Sequence, residues 1–162
     1  MGNIQETFFG PEQYLTVKKS IATSQISDAT MYEDAGKIIR NYANAHSITL
    51  SEGWCVLYFT WDEEGKYAEI GIGIPMKSDN MATDPSLSII DMFIPKTKAS
   101  LAVLHGSYSG LGEIHQALMS YVKKQQFNTT AVPVIAVEEY VIDPMSESNP
   151  KNYITNVYYL HH

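Results

Sequence analysis

Two segments of the chain repeat apolar residues at intervals of three and four, which is the spacing of one face of an α-helix. They cover residues 30–46 and 111–125. The repeated positions are Met31, Ala35, Ile38, Ile39 and Tyr42 in the first segment and Leu111, Ile114, Leu118, Tyr121 and Val122 in the second. The pattern therefore predicts two amphipathic helices.

Seven other segments are rich in β-branched and aromatic residues and are bounded by turn residues, which predicts strands. They cover residues 14–23, 54–61, 66–75, 87–95, 99–108, 132–142 and 152–160. The turn Asp62-Glu63-Glu64-Gly65 separates the second and third of these segments and is typical of a hairpin.

The order strand, helix, strand, strand occurs twice, and a shift of about eighty residues relates the two copies. This shift matches Ile21 with Leu101 and Tyr58 with Glu138. We expect an α+β fold in which two pseudo-symmetric repeats form a mainly antiparallel, mixed sheet with both helices on one face. A ligand cleft would lie between the repeats. The expected boundaries are one domain over 1–162, with repeat one at 14–75, a linker at 76–86 and repeat two at 87–160.

The charge of the chain argues against one class of partner. The formal net charge is −7 with only 11 Lys and Arg residues, whereas proteins that bind nucleic acid need clusters of basic residues. An acidic protein is compatible with cationic ligands. We therefore expect no direct contact with nucleic acid and a small, cationic organic ligand instead.

Cysteine usage and apolar runs bear on the location of the protein. Cys55 is the single cysteine, which excludes an intrachain disulfide and favours a reducing compartment. No apolar run reaches the length of a membrane span, and the first residues lack the pattern of a signal peptide. The expected location is a bacterial-type cytoplasm without membrane association. His161 and His162 are either native or the remnant of a tag, and no function is assigned to them.

Two adjacent carboxylates interrupt the apolar segment at residues 132–142. Because residues two apart share a face of a strand, Glu138 and Tyr140 point one way and Glu139 points the other. If one face packs on the helices and the other lines the cleft, only one of the two acids reaches the cleft. Spacing alone leaves an alternative open, in which one Glu is solvated and the other is held by a Lys or a Tyr hydroxyl.

Several short motifs occur in an order that is found in one family. They are Ile94-Pro95 followed by Ala102, the turn His105-Gly106-Ser107-Tyr108, a helix, and Glu138-Glu139-Tyr140-Val141-Ile142-Asp143-Pro144 before a last strand. In this order they resemble the GyrI-like, or AraC-type, effector-binding domain over residues 14–160. The chain departs from the pattern at Ser107, where Pro is usual, and in the doubled acid. Only a dozen residues precede the first predicted strand, so we expect a stand-alone domain and not a DNA-binding activator.

The resemblance implies a cleft that binds small cationic, hydrophobic molecules, with the acid of the E-x-Y motif on its floor. That acid corresponds to Glu138, with Glu139 as the fallback. Aromatic faces would add cation–π attraction of about 0.5–2 kcal/mol each. The candidates for these faces are Tyr140 and Tyr108, which lie in the motifs, then Tyr58, and further Trp61, Tyr67, Phe93 and Tyr153. Trp54 is assigned to the core.

The resemblance leaves two further functions open. In a hydrolase of electrophilic, cyclopropanoid-type genotoxins, Glu138 would act as general acid or base, oriented by Tyr108 or Tyr140. In a protein-interaction role, the partner would be a transcription regulator or DNA gyrase. The histidines lack the spacing of metal ligands, so we expect neither a metal nor a cofactor. His105 is interpreted as a structural residue of a turn that needs Gly106.

Overall fold

The computed structural model describes residues 3–25, 29–61, 66–77, 84–129 and 134–161. It contains eight strands and two α-helices among these residues. The strands are β1 (Gln5–Phe9), β2 (Glu12–Ala22), β3 (Trp54–Trp61), β4 (Tyr67–Pro75), β5 (Ile89–Ile94), β6 (Thr97–His105), β7 (Ala136–Ile142) and β8 (Ile154–His161). The helices are α1 (Ala29–Ala45) and α2 (Leu111–Lys124).

The strands form one sheet in the order β1-β6-β8-β7-β3-β4-β2-β5. Read outward from the central pair β7–β3, the two sides have equivalent orders, with β8, β6 and β1 on one side and β4, β2 and β5 on the other. Each of the seven strand pairs among the described residues is antiparallel, so no parallel pair of a mixed sheet occurs there. The predicted α+β fold of two pseudo-symmetric repeats is confirmed.

The sheet curls until its opposite edges meet at one end. β1 and β2 are six positions apart in the sheet, which would separate them by about 29 Å if the sheet were flat. Only Gly10 and Pro11 connect them, and three Cα–Cα steps reach at most about 11 Å. β5 and β6 are equally far apart and are joined by Pro95 and Lys96 alone. The two connections touch, because a Cβ added at Gly10 would lie 2.8 Å from the carbonyl oxygen of Ile94.

Both helices pack on one face of the sheet. The buried residues Ala35 and Ile39 of α1 and Leu118 and Val122 of α2 belong to the same core cluster. α1 contacts β2 and β4, whereas α2 contacts β6 and β8. The central strands β3 and β7 therefore lie between the two helices and form the floor of a groove.

The opposite face carries a second apolar cluster, to which no described helical residue contributes. Alternation along β3 shows how the two faces are separated. Val56 and Tyr58 face the helices, and Cys55 and Leu57 face the second cluster. No helix among the described residues is long and apolar enough to cross a membrane.

The sequence missed one strand. β1 is only five residues long and lies before the segment at which the predicted repeat begins, yet its Phe9 is buried in the second cluster. Each half of the sheet therefore contains four strands, whereas the predicted order strand, helix, strand, strand contains three. The predicted hairpin turn at residues 62–65 and most of the predicted linker, residues 78–83, lie outside the described residues.

Candidate functional site

The two adjacent carboxylates of β7 point to opposite faces, as alternation predicts. Glu138 faces the helices together with Tyr140, and its side chain is almost completely buried, at 1% relative exposure. Glu139 is half-buried on the other face, where its Oε1 accepts a hydrogen bond from Asn156 Nδ2 at 2.9 Å. The groove and the helices share one face of the sheet, which corrects the expectation that they occupy opposite faces.

Three donors surround the Glu138 carboxylate. Tyr140 Oη donates to Oε1 at 2.6 Å, and Tyr58 Oη donates to Oε2 at 2.9 Å. His115 Nε2 lies 2.5 Å from the same Oε2. A buried carboxylate needs such partners, because burial without them removes the stabilisation that water gives to the charge. Glu138 is thus held by two Tyr hydroxyls, as in one part of the alternative that the sequence left open.

His115 extends the network to a third tyrosine. Its Nδ1 lies 2.7 Å from Tyr159 Oη. When the imidazole is neutral, Tyr159 donates to Nδ1 and Nε2–H donates to Glu138; when it is charged, both ring nitrogens donate. Both hydrogen bonds of His115 can therefore form whether its imidazole is neutral or charged.

The sequence contained a signal for His115 that the prediction did not use. His115 lies four residues after Leu111 and three before Leu118, on the apolar face of α2. A polar residue at such a position is directed at the core and needs a partner there. Among the described residues, no group of three or more His, Cys, Asp or Glu side chains is arranged to hold a metal ion.

A cluster of aromatic rings covers the groove at the Trp54 end of β3. The Trp54 ring stacks on Tyr140 with a centroid distance of 4.0 Å and an interplanar angle of 6°. Tyr108 meets Tyr140 edge-on at 5.5 Å and stacks on Tyr153 at 5.3 Å. Trp54, assigned from the sequence to the core, is half-buried here, and its Nε1 donates to Asp143 Oδ2 at 2.5 Å. We call Trp54, Tyr108, Tyr140 and Tyr153 the aromatic cluster.

One polar atom of the aromatic cluster is unsatisfied. The Tyr108 hydroxyl is buried and has no hydrogen-bond partner among the described residues. Burial, followed by the nearby Asp143 carboxylate, raises the pKa of Tyr108 above its usual value. The hydroxyl therefore remains protonated and is available as a donor to any acceptor that enters the cluster.

The tyrosines around Glu138 also keep their protons. Burial, followed by the Glu138 carboxylate, raises the pKa of Tyr58 and of Tyr140 well above the usual value. The same two causes raise the pKa of Tyr159. A deprotonated tyrosine beside a buried carboxylate would bring two negative charges together, so the hydroxyls act as donors.

The structure brings some of the predicted site residues together and not others. Tyr58 and Tyr140 bond Glu138 directly, and Tyr108 and Tyr153 lie in the aromatic cluster. Trp61 lies at the other end of β3, 5.6 Å from the Tyr58 ring between centroids. Tyr67 and Phe93 are 64% and 57% exposed, and Phe93 lies on the edge strand β5. These two side chains are not part of the group around Glu138.

Gly106 has the backbone angle expected of the turn after β6. Its φ of +113° lies in the region that favours glycine, and His105 beside it is exposed. His105 makes none of the contacts that hold Glu138. The histidine of the site comes from α2 and not from the His-Gly-Ser-Tyr motif.

No protein-family model and no curated protein matches the sequence. Several solved structures do match it in three dimensions. The crystal structure of the EcmrR C-terminal domain has a TM-score of 0.79 at 13% identity and covers 100% of this chain and 98% of that chain. In the cryo-EM structure of the EcmrR–DNA complex, the match has a TM-score of 0.77 at 14% identity and covers 98% of this chain. The protein spans only 57% of the EcmrR chain in that complex.

Two other similar structures carry information about ligands or activity. SAV2435 bound to tetraphenylphosphonium has a TM-score of 0.61 at 12% identity and covers 99% of this chain and 94% of that chain. A hydrolase from Listeria innocua has a TM-score of 0.60 at 12% identity and covers 98% of this chain and 90% of that chain. At these identities the matches establish the fold alone. The protein has the fold of the GyrI-like effector-binding domains that its motifs resemble.

Proposed function

We propose that the protein binds a small aromatic cation in the groove over β3 and β7, with Glu138 as the counter-charge and the aromatic cluster as the wall. The observation that carries this proposal is a carboxylate at 1% exposure that accepts a hydrogen bond from Tyr140, whose ring stacks on Trp54. The binding of tetraphenylphosphonium by SAV2435, which has a similar fold, supports the same ligand class.

Electrostatics favour a cation at this place. The charge of Glu138 acts through a medium of low dielectric constant, where the attraction of an opposite charge is several times stronger than in water. Hydrogen bonds from Tyr58, Tyr140 and His115 hold the carboxylate. A cation that sits on the face of Tyr140 would add its attraction to these bonds without having to replace them.

Entry of a ligand requires the rings of the aromatic cluster to separate. Trp54 and Tyr108 both pack on Tyr140, so at least one of these contacts must open. An aromatic ligand replaces one ring contact with another, and such contacts contribute about 0.5–1.5 kcal/mol each. The free Tyr108 hydroxyl would gain a partner when the ligand carries an acceptor. The cluster therefore favours flat or multi-ring cations over compact ones.

The test is a titration with tetraphenylphosphonium, in which binding is measured by calorimetry and by Trp fluorescence. Glu138→Gln keeps the shape and removes the charge, and we expect its dissociation constant to rise by about 10–100-fold, or about 1.4–2.8 kcal/mol. Glu139→Gln is the matched control, because its side chain lies on the other face, and should stay within about twofold of the wild type. The neutral analogue triphenylphosphine oxide should bind both proteins equally. Equal cation affinities for the two variants would overturn the proposal.

A second candidate function is hydrolysis of an electrophilic, cyclopropanoid-type compound. The observation that favours it is the His115–Glu138 pair, which supplies the second acid–base group that the sequence had not revealed. The solved hydrolase from Listeria innocua has a similar fold. In this reaction the pair would take a proton from water as the water oxygen bonds to a ring carbon. The strained C–C bond breaks, and the carbon that leaves takes up a proton.

The two functions predict different results for one variant. If the His115–Glu138 pair is catalytic, His115→Gln should abolish the turnover of an activated cyclopropane, which is measured by chromatography. The same variant should still bind tetraphenylphosphonium, because Glu138 remains. If the wild type consumes no such compound under conditions where it binds the cation, the hydrolase function is wrong and the binding function remains.

A further inference from the structure

A second pocket lies at the end of the groove opposite the aromatic cluster. It has a volume of about 760 Å³, within the range of about 300–1,000 Å³ typical of small-molecule sites. Its walls come from the end of β3, the last turns of α2, the segment after α2, the start of β7 and β8. Lys123 and Gln126 supply charge and amide groups, and the aromatic surface comes from Phe59, Trp61, Phe127 and Tyr159.

Local backbone features build this pocket. The register of β3 against β4 shifts between Tyr58 and Thr60. This bulge turns Trp61, three residues after Tyr58, to the same face, where the two rings lie 5.6 Å apart. After α2 ends, Gln126 adopts a positive φ of 58°, and Phe127 N donates to Val122 O at 3.0 Å. The chain therefore folds back and directs Phe127 toward the sheet.

The aromatic walls are held in place by neighbouring side chains. The Phe127 ring stacks on His161 with centroids 4.0 Å apart and an angle of 11°. Trp61 lies 5.9 Å from Tyr159, whose hydroxyl is fixed by His115 Nδ1 at 2.7 Å. A pocket with fixed walls loses little side-chain freedom when a ligand enters, which favours affinity.

The described residues that line this pocket carry a charge opposite to that of Glu138. Lys123 is the one charged residue among the described residues that line it, and it takes part in no ion pair with a described residue. Glu138 lies behind Tyr159 and His115 and does not line the pocket. The acidic residues 62–64 that follow Trp61 lie outside the described residues, and no wall named here belongs to them.

We propose that this pocket is a second ligand site, which binds an aromatic molecule carrying an acidic or carbonyl acceptor. The ring of the ligand would pack against the Trp61 ring, which itself contacts Tyr159, and its acceptor would meet the Lys123 ammonium and the Gln126 amide. A charge-assisted hydrogen bond to Lys123 sets the preference for an acceptor, and the rings set the preference for an aromatic body. Among the described lining residues, none supplies a counter-charge to the aromatic cation of the first site.

Hydrogen bonds connect this site to the first one. Tyr159 lines the pocket and bonds the histidine that bonds Glu138. The two sites therefore share one chain of hydrogen bonds but no described lining residue.

The two tryptophans allow the sites to be observed separately. Trp54 belongs to the aromatic cluster and Trp61 to the pocket, and the sequence contains no other tryptophan. In Trp54→Phe, the remaining emission comes from Trp61. 4-Nitrobenzoate quenches tryptophan on contact, and we expect saturable quenching of Trp61 in this protein.

Matched variants then test the role of the charge. Adding Lys123→Gln to Trp54→Phe should raise the dissociation constant of 4-nitrobenzoate about three- to tenfold. Lys124→Gln, the next residue on the helix and outside the pocket, should change it less than twofold. Glu138→Gln should leave the quenching saturable, which separates this proposal from the proposed function. Loss of saturable quenching in Glu138→Gln, equal effects of the two lysine variants, or no saturation in the parent protein would each overturn the second site.

Discussion

The two halves of the sheet have equivalent strand orders but supply different chemistry to the groove. The shift of eighty residues that matches Tyr58 with Glu138 also matches Ala35 of α1 with His115 of α2. Ala35 is completely buried and offers only a methyl group, whereas His115 offers two ring nitrogens that are both within hydrogen-bond distance of a partner. The first half thus provides a hydroxyl and packing, and the second provides the charge.

This difference explains why the groove has one acidic floor and not two. Glu138 pairs across the centre of the sheet with Val56, an apolar residue of the first half. Tyr58 crosses from the first half to donate to the carboxylate of the second, at 2.9 Å. A second carboxylate at position 58 would place two like charges within a few ångströms, at a high cost in free energy. Two halves with equivalent strand orders therefore form a single charged site when only one of them has an acid at the corresponding position, here Glu138 against Tyr58.

Replacing Glu138 removes the charge that distinguishes the second half from the first. This change should have the largest effect on the free energy of unfolding. In Glu138→Ala the donors of Tyr58, Tyr140 and His115 lose their acceptor in a buried place. We expect the free energy of unfolding to fall by about 3–5 kcal/mol in urea denaturation. Glu139→Ala, whose side chain is half-buried with one hydrogen bond, should cost about 1 kcal/mol or less. Similar losses for the two variants would contradict the special role of Glu138.

Giving α2 the residue that α1 carries should have an intermediate effect. His115→Ala leaves Glu138 with two donors, and we expect a loss of about 1.5–3 kcal/mol in the free energy of unfolding. The neighbouring, exposed Gln116→Ala is the control and should change it by less than about 0.5 kcal/mol. In a double-mutant cycle with Glu138→Gln, the two losses should overlap by about 0.5–3 kcal/mol. Strict additivity would show that the pair contributes nothing to stability.

The two tyrosine donors should differ in a smaller but ordered way. Tyr140 is the donor to Oε1, whereas Tyr58 shares Oε2 with His115. Tyr140→Phe should therefore cost more than Tyr58→Phe, both within about 1–3 kcal/mol at pH 7. The reverse order would show that the donor from the first half is the more important one.

The same variants should alter the response to alkaline pH. Burial, then Glu138, raises the pKa of both tyrosines above that of an unfolded chain, which is about 10. Above pH 10 the folded state binds more protons than the unfolded state, so their contribution is complete below that pH and declines as the pH rises. Each substitution should make the fall of the free energy of unfolding with pH less steep, by up to about 1.4 kcal/mol per pH unit between pH 10 and 11. Tyr67→Phe, at an exposed position, should leave the slope unchanged.

The sequence predicted those parts of the fold that depend on periodicity. α1 and α2 begin and end within one residue of the predicted segments, because their apolar stripes are long and regular. The opposite orientation of Glu138 and Glu139 followed from alternation along a strand. β1 was missed because five residues give too few alternations to stand out from an irregular terminus.

The remaining parts depend on which strands become neighbours, which no local pattern contains. Phe93 was a reasonable candidate by residue type, but β5 became an edge strand far from β7. Tyr67 alternates with Ala68, which faces the helices, and so it points away from the groove. His115 could have been found from its place on the stripe of α2, but its partner lies 23 residues away on another element. Only the packed structure brings the two together.

The short connections at Gly10–Pro11 and Pro95–Lys96 have a consequence for how a guest molecule is accommodated. They tie the outermost strands of each half to the other half at a single corner of the curled sheet. Hinging the halves apart would widen the floor of the groove little, because each tether is only two residues long and spans at most about 11 Å. Space for different guests must come from turning rings and shifting helices above a stiff floor. Selectivity would then be a property of the rotamers of a few aromatic side chains and not of the backbone.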